Sequence, residues 1–215
     1  MNYSVVIVAA GSGSRMGLGY NKMLYTLKNG ETILEKTVRN FEEDERCTQI
    51  IVVTSEDDRV QFEEILKGKD ISFVNGGETR QESVQQGLHL VKEAYVMIHD
   101  GARPWVSMDC LNRIVDTLQT HDACLLMMPV KDTIKEVVDG KVAQTFQRSN
   151  LRMAQTPQAF KTSLLVNSYQ RAMKEGIQAT DDAQVVELCS DEIVYEVEGD
   201  YENIKVTTKE DIEGK

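Results

Sequence analysis

The stretch that most limits what this chain can become is an apolar, β-branched run over residues 3–10 that empties into Gly11-Ser12-Gly13-Ser14-Arg15-Met16-Gly17. A short buried strand feeding a glycine turn leaves the turn's backbone N–H groups free to face a ligand. Gly11 and Gly13 remove any Cβ between backbone and ligand, and Arg15 adds a fixed cation whose planar fork suits phosphate oxygens. Lys22 supplies a second cation a few residues on. A Walker A loop needs Gly-Lys followed by Ser or Thr, and the dinucleotide fingerprint needs glycine where Met16 stands, so both are excluded. The competing reading is a tight β-to-α turn that binds nothing.

The same handover recurs along the chain. Residues 49–54, 71–74, 95–99 and 124–130 read as strands. Between them lie helices over 33–41, with Leu34, Val38 and Phe41 on one side, up to about Leu66 with Asp57 or Asp58 as cap, from Glu82, and from Ser107. Gly76-Gly77 forms a second glycine turn ahead of a helix. Strands alternating with helices of this length predict an α/β fold, a doubly wound, mostly parallel, Rossmann-like sheet with ligands at the carboxyl ends of its strands.

The pattern changes at Pro129. Runs over 133–138 and 142–146 flank Asp139-Gly140, a two-residue hairpin signal, and no helix covers them. A hairpin arm over 130–155 therefore projects from a single domain spanning 1–215. Its unpaired edges and uncovered face predict a homodimer through the arm, the alternative being a flap folded back on its own domain. Helices over 161–175 and 181–189, a strand over 193–197 and a short final helix complete the expectation.

Lys and Arg number 24 against 35 Asp and Glu, a net charge of −11, so the chain is a poor ligand for a nucleic-acid backbone. An anionic ligand must be met by a few local cations, among which Arg15, Lys22, Arg80, Arg103, Arg148 and Lys205 stand out. Cys47, Cys110, Cys124 and Cys189 lie far apart with no metal-ligand spacing and read as reduced apolar residues. With no apolar stretch near about 20 residues and no basic leader, the expectation is a soluble, cytoplasmic protein without membrane contact.

The chain contains no G-x-S-x-G elbow and no H-E-x-x-H pair. His89 and His121 fall at helix ends, and His99, beside Asp100, reads as a residue that positions its neighbours rather than as a base. Cations, glycines and the strand-end carboxylate Asp100 are the equipment of phosphoryl or nucleotidyl transfer, where positioning and charge stabilisation supply most of the rate. Asp100 can hold Mg²⁺ together with phosphate oxygens.

Seven segments carry a resemblance that runs from the first loop to Asp211: residues 9–17, Gly76-Gly77-Glu78-Thr79-Arg80-Gln81-Glu82-Ser83-Val84, His99-Asp100-Gly101-Ala102-Arg103-Pro104, residues 129–135, Gln155-Thr156-Pro157-Gln158, Thr180-Asp181-Asp182-Ala183 and Asn203-Ile204-Lys205-Val206-Thr207. Taken together, the chain resembles the 2-C-methyl-D-erythritol 4-phosphate cytidylyltransferases of non-mevalonate isoprenoid synthesis, nucleotidyltransferases of the Rossmann-like, GT-A-like kind.

The resemblance implies CTP and a polyol phosphate as substrates and Mg²⁺ or another divalent cation as cofactor. It implies Ala9, Ala10, Gly11, Gly13, Gly77, Glu78, Arg80, Ser83 and Ala102 around the nucleotide, with Arg15 and Lys22 neutralising charge on the phosphates. Asp100 would hold the metal, Lys205 and Thr207 would aim the attacking phosphate, and Arg103 and Thr156 would lie on the polyol-phosphate side. Thr133 and Arg148, on the arm, would reach the neighbouring subunit's pocket. Asn21 stands where the family has proline before its lysine, which predicts a looser Gly17-Leu18-Gly19-Tyr20 stretch and a less firmly placed Lys22 before CTP binds. Two further readings remain open here, a ribitol-5-phosphate cytidylyltransferase and a catalytically silent nucleotide-binding subunit.

Overall fold

In the computed structural model of the chain, which describes residues 1–11 and 18–213, the first apolar run forms strand β1, Tyr3–Val8. Side chains on a strand alternate between faces. Tyr3, Val5 and Ile7 accordingly enter one apolar cluster and Val6 another. Both faces are covered, which is why the run is continuous rather than alternating in polarity.

Helices α1 (Ile33–Glu42), α2 (Arg59–Ile65) and α4 (Met108–Leu118) bury Leu34, Val38, Phe41, Phe62, Leu111 and Ile114 in the first cluster. Helices α3 (Arg80–Leu88), α5 (Thr162–Glu175) and α6 (Asp182–Cys189) bury Val84, Leu165, Tyr169 and Val186 in the second. Two helices open on full capping boxes, Thr32 with Glu35 and Thr79 with Glu82. Ser107 caps α4 and Asp181 caps α6.

Asp58 does not act as the expected cap. It occupies the position before α2, but its carboxylate makes no capping bond and instead accepts from Asn21 Nδ2 at 2.7 Å and Ser55 Oγ at 2.5 Å.

Strands β2 (Cys47–Thr54), β3 (Ile71–Asn75) and β4 (Tyr95–Asp100) join β1 in parallel. With β5 (Ala123–Pro129), β8 (Arg152–Lys161) and β9 (Tyr195–Glu198) they complete a seven-stranded sheet of order β3-β2-β1-β4-β8-β5-β9. The sequence reading contains no strand over 152–161, yet β8 lies between β4 and β5, antiparallel to both. Gln155, Thr156, Pro157 and Gln158 hid it, because proline cannot donate to a ladder and polar residues do not advertise burial. The ladder with β5 shifts register there, passing from Leu125 opposite Gln158 to Met127 opposite Ala154. The buried Gln158 uses its amide in both senses, donating to Asp181 Oδ2 at 2.9 Å and accepting from the Ala183 N–H at 2.8 Å.

Beyond the sheet, β6 (Lys135–Val138) and β7 (Lys141–Thr145) form a separate two-stranded ribbon. Asp139 and Gly140 turn it with φ of 50° and 74°, the left-handed pair that a type I′ hairpin requires. Every residue of both strands is exposed, including Val137, Val138 and Val142.

The chain runs outward from β1 to β2 and β3, then crosses back to β4 on β1's other side. That reversal is the topological switch point at which such sheets open a crevice. Val8 and Asp100, the carboxyl ends of β1 and β4, are partners in the ladder there.

Candidate functional site

The crevice is a cleft of about 320 Å³. One wall is the backbone that leaves β1, held by Ala9 N–H donating to Val53 O at 2.8 Å. The facing wall is the turn between β3 and α3. A Cβ at Gly76 would stand 2.6 Å from Ser83 Oγ and 2.8 Å from the Ala10 Cβ, so only glycine lets the two walls approach this closely. Ser83 Oγ accepts from Gly77 N–H at 3.2 Å and fixes the turn.

Ala9, Ala10, Gly11, Lys22, Gly77, Glu78, Arg80, Ser83, Asp100, Ala102, Lys205 and Thr207 all line this cleft, together with Val8, Met23 and Thr79, which the sequence reading did not single out. Gly13 and Arg15 lie outside the described residues.

Charge is organised around Asp100, which is only 8% exposed. Lys205 Nζ is 2.8 Å from its Oδ2, Arg80 Nε 3.4 Å from its Oδ1, and Arg103 Nε 3.8 Å from its Oδ2. Burial pushes this carboxyl up, but Arg80, Lys205 and Arg103 outweigh it and hold the group well below the usual carboxylate range. Arg80 is shared, since its Nη2 also meets the fully buried Asp182 at 2.8 Å, and Tyr169 donates to the other Asp182 oxygen at 2.5 Å. Burial alone would lower the Arg80 pKa, but Asp182 and Asp100 raise it. Asp182 therefore belongs to the site, while its neighbour Asp181 caps α6.

A hydrogen-bonded scaffold lies beneath Asp100. The Asp100 N–H donates to Thr156 Oγ1 at 3.0 Å, and Thr156 Oγ1 lies 3.1 Å from His99 Nδ1. His99 Nε2 lies 3.0 Å from the Arg103 carbonyl, which can only accept, so Nε2 carries the proton and Nδ1 accepts from Thr156. Burial drives the His99 pKa down to about 4. Arg103 Nη1 donates to Asn203 O at 2.7 Å, and Asn203 Nδ2 to Thr156 O at 2.9 Å, so the loop that carries Lys205 is tied to the same scaffold. Thr156 and Arg103 are thus placed behind Asp100 rather than on the cleft wall.

Lys22 Nζ donates to Val206 O at 2.7 Å across the cleft. Asn21 holds the turn that bears Lys22. Asn21 is 4% exposed, caps the 3-10 turn over Lys22–Leu24 by accepting from Met23 N–H at 3.0 Å, and donates to Gly11 O at 3.2 Å and Asp58 Oδ2 at 2.7 Å.

Thr207 holds Asp211 Oδ2 through its N–H at 2.7 Å and its hydroxyl at 2.8 Å, which opens the short helix α7, Glu210–Glu213. Thr133 and Arg148 stay out of this chain's own cleft. Thr133 is exposed on the arm, and Arg148 lines a separate depression with Lys131 and Arg152, donating to Lys131 O at 2.6 Å.

Among the described residues the cleft wall carries no histidine or cysteine. It does carry the cations Lys22, Arg80 and Lys205, with Arg103 behind, in a chain of strongly negative net charge. Such a site can hold polyphosphate and stabilise charge that develops on it.

The family model described as 2-C-methyl-D-erythritol 4-phosphate cytidylyltransferase matches residues 3–214. A protein of that name from Bacillus cytotoxicus is 44% identical over 98% of this chain and 94% of its own, and one from Bacillus pumilus is 43% identical over 99% and 94%. Among solved structures, a 4-diphosphocytidyl-2C-methyl-D-erythritol synthase from Anaerococcus prevotii superposes with a TM-score of 0.87 at 33% identity, covering 98% of this chain and 94% of that one. The cytidylyltransferase from Thermus thermophilus gives 0.83 at 32% identity, covering 99% and 96%.

Proposed function

Because the chain belongs to the 2-C-methyl-D-erythritol 4-phosphate cytidylyltransferase family, we propose that its cleft is where two anions are brought together despite their repulsion. The enzyme joins CTP and 2-C-methyl-D-erythritol 4-phosphate, giving 4-diphosphocytidyl-2-C-methyl-D-erythritol and pyrophosphate in isoprenoid biosynthesis. A phosphate oxygen of the polyol phosphate attacks the α-phosphorus of CTP. The new P–O bond forms as the α–β anhydride bond breaks, and its electron pair leaves on pyrophosphate. A phosphate monoester is already largely dianionic at pH 7, with a second pKa of about 6, so no protein base is needed.

The observation that carries the assignment of roles is the convergence of Lys22 and Lys205 on one cleft, each with its ammonium on a protein oxygen, Val206 O and Asp100 Oδ2. Phosphate oxygens compete well for such donors. Lys22, with Arg15, meets the triphosphate, and Lys205 aims the attacking phosphate. Arg80 holds Asp100 and faces the nucleotide. The small backbone walls at Ala9–Gly11, Gly77 and Ala102 admit the flat base, with Glu78 and Ser83 near its polar edge.

Among the described residues there is no cluster of three or more His, Cys, Asp and Glu side chains that would cage a metal. One ionised carboxylate is nevertheless what Mg²⁺ takes when phosphates supply the other oxygens. Asp100 fits that role once Lys205 turns to the substrate. When bound, the ion adds positive charge to the triphosphate.

The arm's exposed Val137, Val138, Val142 and Phe146 support a homodimer in which Thr133 and Arg148 complete the neighbour's site. Four unpaired cysteines accord with a reducing, cytoplasmic setting, and no helix among the described residues is long and apolar enough to cross a membrane.

The test is pyrophosphate release from CTP and Mg²⁺ with each of two alcohol phosphates. Release with methylerythritol phosphate is expected. Release with ribitol 5-phosphate alone would move the substrate assignment, and release with neither would mark a silent subunit.

A further inference from the structure

We infer that Asn21 is a positioning residue for CTP binding, a clasp whose amide sets the Gly11 carbonyl and the turn bearing Lys22 relative to each other. This rests on the cytidylyltransferase reading, which places Gly11 and Lys22 against the nucleotide.

Asn21 is the point where three separate pieces of chain meet. Its Nδ2 donates to Gly11 O, ten residues earlier in sequence, and to Asp58 Oδ2 on the loop after β2. Its Oδ1 accepts from Met23 N–H, and its own carbonyl accepts from Leu24 N–H at 3.0 Å. Asp58 is held in turn by the Ser55 hydroxyl, and Ser55 Oγ accepts from Asp58 N–H at 3.2 Å. The clasp therefore ties the carboxyl end of β1 to the loop after β2 and to the turn on which Lys22 stands.

The amide is used in both senses, and no other side chain of this size matches it. Alanine would leave the Met23 N–H and the Gly11 carbonyl without their partner. Aspartate would set a carboxylate oxygen against Asp58 Oδ2 and Gly11 O, three acceptors with no donor between them. Because Asn21 is 4% exposed, water cannot replace it cheaply. Lys22 follows Asn21 directly, so a small displacement of the turn moves its ammonium relative to the triphosphate, and reaction rates respond steeply to such displacements.

The experiment measures steady-state kinetics, CTP binding by calorimetry and thermal unfolding for the unaltered enzyme, Asn21→Ala and Asp58→Ala, with Lys22→Ala and the double variant Asn21→Ala/Lys22→Ala closing a cycle. Asn21→Ala is expected to lose about tenfold to a hundredfold in kcat/KM for CTP, with weaker CTP binding and the KM for the polyol phosphate within about twofold. Asp58→Ala is expected to lose less, with the same selectivity for CTP. In the Lys22→Ala background, Asn21→Ala should cost only about twofold more, since the clasp acts through Lys22.

A loss confined to thermal stability, an equal rise in KM for both substrates, or full additivity with Lys22→Ala would each overturn the clasp. Normal CTP binding and turnover in Asn21→Ala would also overturn it and leave the activity standing. An unaltered enzyme that binds no CTP would overturn both.

Discussion

His99→Gln offers a direct test of how the scaffold under Asp100 is protonated. His99 is 0% exposed and its pKa lies at about 4, against about 6.5 for an ordinary imidazole. Between those values the unfolded chain takes up a proton that the folded chain refuses, so lowering the pH favours unfolding. Each pKa unit corresponds to about 1.4 kcal/mol, which makes the penalty from this one residue about 2–3 kcal/mol at pH 4.5 and almost nothing at pH 7. Against a typical total of about 5–15 kcal/mol that is a large share.

Glutamine keeps a donor for the Arg103 carbonyl and an acceptor for the Thr156 hydroxyl but has no proton to gain. Urea unfolding of both proteins at several pH values from 7 to 4.5 measures the difference. The unaltered protein should lose about 2–3 kcal/mol more than His99→Gln across that range, the carboxylates common to both cancelling. Parallel pH profiles, or an NMR titration in which the folded His99 ring protonates near pH 6 or above, would refute the suppressed protonation of the buried ring.

Three other outcomes follow from particular contacts. Lys205→Ala should lower kcat by about 10²–10³-fold, the range for removing one group that stabilises developing charge, with little change in thermal stability because the ammonium is partly exposed; turnover within a few-fold of normal would remove its aiming role. Gly87→Ala puts a Cβ 2.4 Å from Val6 Cγ1 and 3.1 Å from Val53 Cγ2, where α3 crosses the sheet, and should destabilise the fold by about 1–3 kcal/mol in urea unfolding. Val142→Asp, on the exposed arm, tests the proposed dimer: the unaltered chain should sediment as a dimer and the variant as a monomer of lower activity with the same unfolding midpoint, and a monomeric unaltered chain or a dimeric variant would refute pairing through the arm.

Much of the architecture was legible because it is written at short range. Apolar runs of strand length, glycine turns, helical spacing on α1 and α4, the Asp139-Gly140 hairpin and the helix start at Ser107 each depend on a few consecutive residues. The place of the cleft was legible for a similar reason, since ligands of such sheets sit at the carboxyl ends of the strands, whereas Glu78, Ser83, Ala102 and Thr207 were named only through the family resemblance. β8 was not legible, because Pro157 and its polar neighbours conceal a strand whose burial depends on β4 and β5 flanking it. Asp58 misled for the converse reason: its local position is that of a cap, but its carboxylate is claimed by Asn21.

The sequence by itself determined the alternation of strand and helix, the glycine walls, the lack of a G-x-S-x-G or H-E-x-x-H motif and the cation set from which an anion site must be built. Tertiary structure alone decided which cation meets which oxygen. Arg80 reaches Asp182 across 102 residues and Lys22 reaches Val206 across 184. The physical reason is that periodicity and turn preference act over a few bonds, whereas a charge in a buried cleft is governed by whatever the chain path brings within a few ångströms, and that path is fixed only when the whole sheet has closed.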